Sequence, residues 1–197
     1  MKPEAIHHAR ERLKKAENAV ASLRSAKNLD AAEAAWVEFL IAANSIYSKL
    51  ENGAKGGGRS EAWFGRMKHD RKNDELLNYI HHARNVDEHG IERITEKDPG
   101  YFAITGDMRL DGTIGPGQTL RVTQIPGGRP VGFESKPARL KLIPVTDDRF
   151  KNTFPVPTSH LGRPLTDVSP LAIAILAIDY LRALVSAGAE FLSSSKR

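Results

Sequence analysis

Cysteine is absent from the 197 residues. That excludes disulfides, a thiolate zinc site and a thiol nucleophile, and it fits a reducing compartment. Charge of one sign is also scarce: 29 Lys and Arg stand against 24 Asp and Glu, a net charge of +5. Such a mild basic excess permits a nucleic-acid partner but builds no basic stripe. Met1-Lys2-Pro3-Glu4 enters a charged segment with no apolar signal core, so the expected location is cytoplasmic. The only long apolar run, Leu171 to Ile178, is followed by Asp179, Arg182, Ser186 and Glu190 at helical spacing. A membrane span rarely carries such a stripe, so a core helix is expected and no membrane partner. His7 with His8, and His81 with His82, are sequence neighbours that point in different directions on a helix. Metal ligation would need a shared face, so neither a metal nor a cofactor is expected.

Hydrophobic periodicity supplies most of the organisation. Ile6, Ala9, Leu13, Ala16, Val20 and Leu23 predict an amphipathic helix over 3–26. After the break at Asn28-Leu29-Asp30, a second helix is predicted over 30–51, with Ala32, Trp36, Phe39, Leu40, Ala43, Ile46, Tyr47 and Leu50 on one face. The two together suggest an antiparallel helical hairpin. Gly53 to Ser60 reads as a flexible loop, with Ser60 capping a short third helix that carries Trp63, Phe64 and Met67. The basic patch Lys68-His69-Asp70-Arg71-Lys72 leads to a cap at Asn73 or Asp74. The fourth helix is predicted over 74–96, its core stripe running through Leu76, Ile80, Ala83, Val86 or Asp87, Gly90 and Ile94. At Asp98-Pro99-Gly100 the texture changes to turn signals and short β-rich runs at 101–105, 120–125 and 139–145. A Pro-rich extended segment follows over about 150–168. Ser169 and Pro170 then cap and open a last helix over 169–193. The expected fold is mainly α: a bundle of four to five helices from residues 1–98 and 169–197. A small antiparallel β insertion over 99–168 precedes the last helix.

The densest chemistry lies on the fourth helix, in His81-His82-Ala83-Arg84-Asn85-Val86-Asp87-Glu88-His89-Gly90. A histidine can move protons and an arginine can hold phosphate oxygens, the two roles that metal-independent RNA cleavage needs. Asn85 can orient either. At about 100° per residue, Arg84 and His89 lie about 140° apart around the axis. One copy of the helix cannot aim both straight at a small target. They can flank a cleft, or two copies can meet across a dimer axis. The competing reading is a solvated helix face with an Arg84–Glu88 pair at i,i+4.

Arg84-Asn85-Val86-Asp87-Glu88-His89 resembles the R-x(4–6)-H motif of HEPN domains, including the polar residue directly after the arginine. The long helices before it match that family's all-helical up-and-down core. The resemblance covers residues 1–96 and extends, at most, to the last helix; the β-rich segment departs from it. It implies a metal-independent endoribonuclease, in the manner of toxin–antitoxin or phage-defence proteins. Arg84 and His89 would be the catalytic pair, Asn85 the supporting polar group, and a homodimer would bring paired motifs together. It also implies RNA as substrate and an antitoxin or regulatory protein as partner. Some HEPN relatives are non-catalytic, so a nucleotide- or protein-binding module or a helical scaffold is the alternative.

Three further groups could contact RNA. Gly53 to Ser60 spells G-x4-G-R-S, close to a phosphate-binding loop. It follows a helix rather than a strand and has Arg59 in place of lysine, so it is expected to be an interhelical connection in which Lys55 and Arg59 make at most loose phosphate contacts. His82 joins Asn78, Asn85, His89 and Glu92 on one polar stripe and is a third candidate substrate contact. Arg121, Arg129, Arg139, Lys141, Arg149 and Lys151 alternate with apolar residues, as either a backbone-reading sheet face or ordinary out-facing polar positions. Trp36, Phe39, Tyr47 and Trp63 are expected in the core. His160-Leu161-Gly162-Arg163-Pro164 forms a compact polar patch suited to a lid or docking strand.

Overall fold

The structure, a computed structural model, describes residues 1–113, 115–147 and 151–194, and for His89 its place in a helix but not its side chain. It is mainly α, with five helices and small antiparallel strand pairs among the described residues. Two compact units divide the chain: residues 1–96 with 140–197, and residues 97–139.

The first unit is built on two long helices, α1 (Pro3–Ser25) and α2 (Leu29–Ala54). Every apolar position of the periodic stripe in α1 is buried, and in α2 all but Ala32, which is half-buried. Trp36, Phe39, Ile46 and Leu50 are fully enclosed. Each such side chain contributes about 1.5–3 kcal/mol by leaving water. Asn28 restarts the helix: its Oδ1 accepts the Ala31 N–H at 2.8 Å. The glycine segment is tighter than a flexible loop. Gly53 and Ala54 still belong to α2, and α3 (Gly58–Asn73) begins three residues after Lys55. Gly53 is required by close approach, because a Cβ there would collide with Ala5 Cβ, and its carbonyl accepts the Lys2 N–H. Ser60 is not the N-cap. It is buried within the first turn of α3 and donates to the carbonyls of Ala54 and Gly57, both at 2.8 Å.

Asp74 starts α4 (Glu75–His89) by accepting the Leu77 N–H at 2.9 Å. The helix ends at His89 rather than 96. Gly90 takes an extended conformation as the C-cap, its N–H still bonded to the Val86 carbonyl. Glu92 is therefore off the helix, while Ile94 reaches the core from the segment beyond it. Val86, not the exposed Asp87, completes the buried stripe with Leu76, Ile80 and Ala83.

The chain then forms β1 (Thr95–Asp98), β2 (Tyr101–Thr105), β3 (Met108–Gly112), β4 (Leu120–Gln124), β5 (Gly132–Lys136) and β6 (Arg139–Leu142). β1 pairs with β6, and the boundary between the units passes through both strands. In the second unit β3 and β4 are nested inside β2 and β5, a two-stranded antiparallel ribbon. One face of the outer pair carries Phe102 and Phe133, stacked at 6.1 Å and both exposed. This ribbon is the compact part of the expected insertion; residues 140–147 and 151–168 pack with the helices instead. The reason is burial: Leu140, Leu142 and Val145 join the helical core, with Phe154, Val156 and Leu165 packed against it.

The remaining elements of the first unit are β7 (Val145–Thr146), β8 (Thr153–Phe154), β9 (Ser159–His160), β10 (Arg163–Pro164) and α5 (Pro170–Ser194). β7 pairs with β8 and β9 with β10, each antiparallel. Ser169 caps α5 by accepting the Ala172 N–H at 3.3 Å. By length and composition α5 could cross a membrane. In this structure Ile173, Ala177, Leu181 and Leu184 are buried in the core it shares with α1 and α2, while Asp179, Arg182, Ser186 and Glu190 face outward.

Candidate functional site

Helix α4 lies antiparallel to α2. His81 Nδ1 meets Asn44 Oδ1 at 3.3 Å, and further along the chain Thr95 Oγ1 donates to Glu33 Oε1 at 2.6 Å. Tyr79 Oη donates to the Ile143 carbonyl at 2.7 Å, tying the β6–β7 connection to α4. At the helix start, Asp74 Oδ2 accepts the Leu161 N–H at 2.7 Å and its Oδ1 meets His160 Nδ1 at 3.0 Å. Glu75 Oε2 accepts the N–H groups of Thr158 and Ser159 and the Thr158 hydroxyl. The His160–Pro164 patch is thus a tight hairpin pinned to the α4 N-terminus. Leu161 and Gly162 both adopt positive φ at its tip.

Arg84 and Asn85 are half-buried on the last turns of α4. Arg84 Nη1 donates to Asn85 Oδ1 at 3.3 Å, so Asn85 orients the arginine. Arg84 Nη2 pairs with Glu88 on the same helix, as the i,i+4 spacing allows. Arg84 Nε is buried with no acceptor among the described residues. An orphaned buried donor costs about 1–3 kcal/mol. The His89 side chain lies outside the described residues, so its distance from Arg84 is not part of this geometry. Carboxylates gather at this end: burial, then Glu33 and Glu88, push the Asp87 carboxyl above its ordinary range.

The other expected contacts do not converge there. Lys55 lies eleven residues beyond Asn44 along α2, whereas Arg84 lies one turn beyond His81 in the opposite direction. The separation is roughly 20 Å along the axes. Lys55 Nζ donates to Asn52 Oδ1 at 3.0 Å, and Arg59 sits 5.9 Å from the centroid of Phe191. His82 is half-buried under Phe154, the rings parallel at 3.5 Å. Its Nδ1 is 4.0 Å from Asp147 Oδ2, too far for a hydrogen bond. Burial lowers the His82 pKa more than Asp147 raises it. The proposed basic sheet face is divided too. Arg121, Arg129 and Arg139 belong to the ribbon unit, Lys141 and Lys151 to the helical unit, and Arg149 lies outside the described residues. Arg129 pairs with Asp107, Arg139 and Lys136 with Asp98, and Arg121 stands opposite Asp111.

A second group of side chains, at the middle of α4, does converge. His81 is half-buried, and its pKa falls to about 3. Burial is the main cause, followed by the charges of Arg71, His82, Arg84 and Lys68. Arg71 and Lys68 are one turn apart on α3, and Arg71 stacks over the Tyr47 ring at 4.5 Å. Asn44, Tyr47, Arg71 and His81 line a narrow cavity of about 10 Å³, room for about one water. The i,i+3 spacing of Lys68 and Arg71 in the basic patch was the available sequence signal. What hid the group is that His81 and Asn44 arrive from two other helices.

No family model, curated protein or solved structure matches the chain. Among the described residues no cluster of His, Cys, Asp and Glu could hold a metal.

Proposed function

We propose that this chain is a HEPN-like helical module that cleaves RNA without a metal, as a homodimer. The observation that carries the proposal is the state of Arg84: fixed by Asn85, with a buried Nε that lacks an acceptor among the described residues. A non-bridging phosphate oxygen is the kind of acceptor that would complete it. In the reaction a 2′-hydroxyl attacks the adjacent phosphorus and the bond to the 5′-oxygen breaks. His89 takes the hydroxyl proton or delivers one to the leaving oxygen, and Arg84 stabilises the charge on the phosphate. The products are a 2′,3′-cyclic phosphate and a 5′-hydroxyl end. Because helical spacing sets Arg84 and His89 about 140° apart, the site is completed by a second copy.

The test is incubation with RNA in excess chelator, comparing wild type with Arg84→Ala and His89→Ala. Loss of cleavage in both variants supports the assignment; undiminished cleavage in both, or none by wild type, refutes it.

One observation favours a second reading, a non-catalytic nucleotide- or protein-binding module. Arg84 is engaged with Glu88, and carboxylates gather around it. On this reading wild type leaves RNA intact, and Glu88→Ala does not create cleavage.

A further inference from the structure

Two cations of α3, Lys68 and Arg71, act on His81 at the middle of α4, and the nuclease reading gives them no role. Arg71 is half-buried, and the Glu51 carboxylate that pairs with Lys68 acts on it through space without an ion pair among the described residues. Its guanidinium carbon sits over the Tyr47 ring, 4.5 Å from the centroid, a cation–π contact that positions the head before any ligand arrives. Lys68, on the same face one turn earlier, reaches only to the exposed Glu51 at 3.1 Å. Across the cavity stands His81. His81 Nδ1 lies 3.3 Å from Asn44 Oδ1, and in the tautomer that donates to this oxygen Nε2 is left as a lone-pair acceptor.

A guanidinium fork beside a neutral imidazole acceptor suits one kind of anion. The fork takes two oxygens of a tetrahedral oxyanion in parallel. Nε2 then needs a donor on the same anion, and the P–OH of a phosphate monoanion is one. A sulfate has no such proton at neutral pH, and neither does an internal phosphodiester. The cavity holds about one water, so the phosphate sits at its mouth with one oxygen directed inward.

We propose that Arg71 and His81 form a phosphomonoester-binding site at the junction of α2, α3 and α4, with Lys68 at its rim. The ligand is a terminal phosphate, free or carried at the end of a nucleotide or RNA. The site is distinct from the scissile-phosphate contacts assigned to Arg84 and His89, and it stands whether or not the chain cleaves RNA.

The experiment titrates the full chain at about pH 6, where phosphate monoesters keep a substantial monoanion fraction, with inorganic phosphate, sulfate and AMP. It also compares a short RNA bearing a 5′-phosphate with the same RNA bearing a 5′-hydroxyl. Calorimetry gives affinity, and the His81 ring resonances report the site. Phosphate and AMP are expected to saturate, sulfate to bind several-fold more weakly, and the His81 resonances to move. If the source is an RNA end, the 5′-phosphate oligonucleotide outcompetes its 5′-hydroxyl form; if it is a free phosphate, AMP or inorganic phosphate binds more tightly than either. Arg71→Ala is expected to weaken phosphate binding roughly tenfold or more, the worth of a charge-assisted hydrogen bond. Arg71→Lys, which keeps the charge and spares the fold, is expected to lose part of that affinity, while Arg10→Ala on α1 changes nothing. The proposal is overturned by no saturable phosphate binding in wild type, by equal affinity in folded Arg71→Lys and wild type, or by sulfate binding as well as phosphate. None of these outcomes depends on RNA cleavage.

Discussion

Lowering the pH from 7 to 5 should destabilise the helical unit through His81. An unfolded histidine titrates near 6.5, whereas the folded ring titrates at about 3. Between those values the unfolded chain binds a proton that the folded chain does not. The stability due to the neutral ring is therefore complete above pH 6.5 and is lost progressively as the pH falls toward 3. Each pH unit inside the window is worth about 1.4 kcal/mol, so at pH 5 the loss is about 2 kcal/mol. That is a large share of the roughly 5–15 kcal/mol of a typical domain. Burial is the main cause, followed by Arg71, His82, Arg84 and Lys68, which come from α3 and α4. The assay is urea unfolding of wild type and His81→Gln at pH 7 and pH 5. Glutamine does not titrate, so the drop between the two pH values should be about 2 kcal/mol smaller in the variant. An equal drop in both proteins, or a folded His81 that titrates near 6.5 by NMR, would refute the reasoning.

Three other outcomes follow from single contacts. Asp74→Ala removes the α4 N-cap and the acceptor for Leu161 N–H and His160, so a loss of about 2–3 kcal/mol is expected in denaturant melts. A loss below about 0.5 kcal/mol would show the hairpin to be held by other contacts. Gly53→Val drives a side chain into Ala5 and should lower the melting temperature markedly, while Gly58→Val, where a Cβ meets nothing, should not. Glu88→Ala frees Arg84, and in the nuclease reading it raises cleavage in chelator; unchanged cleavage by an active wild type would mean that Glu88 does not restrain Arg84.

The sequence by itself determined the helical frame. Ile6, Leu13, Val20, Trp36, Phe39 and Ile46 recur at 3.6-residue spacing, and that periodicity can be satisfied only by burying one face of each helix. Ser169-Pro170 was equally legible, because capping is local chemistry, while the fourth helix's signals leave Asn73 or Asp74 as its cap and the structure places it at Asp74. Periodicity failed at Gly90, where apolar Ile94 kept the phase although the backbone had already turned. The capping signal misled at Ser60, which has a capping residue's side chain but is buried within the first turn of the helix. Composition could not divide the β-rich segment, because whether Leu140 or Phe102 is covered depends on what packs beside it. For the candidate sites the split is sharper. The R-x4-H spacing is a property of one helix and is visible in the chain. The juxtaposition of Asn44, Tyr47, Arg71 and His81 needs three helices packed side by side. The Arg84–Glu88 pair is likewise an i,i+4 contact legible in the chain, whereas only the tertiary structure decides that Lys55 and Arg59 lie far along the bundle and that His81 is buried among cations. Those outcomes depend on through-space distance and lost solvent, which sequence spacing does not encode.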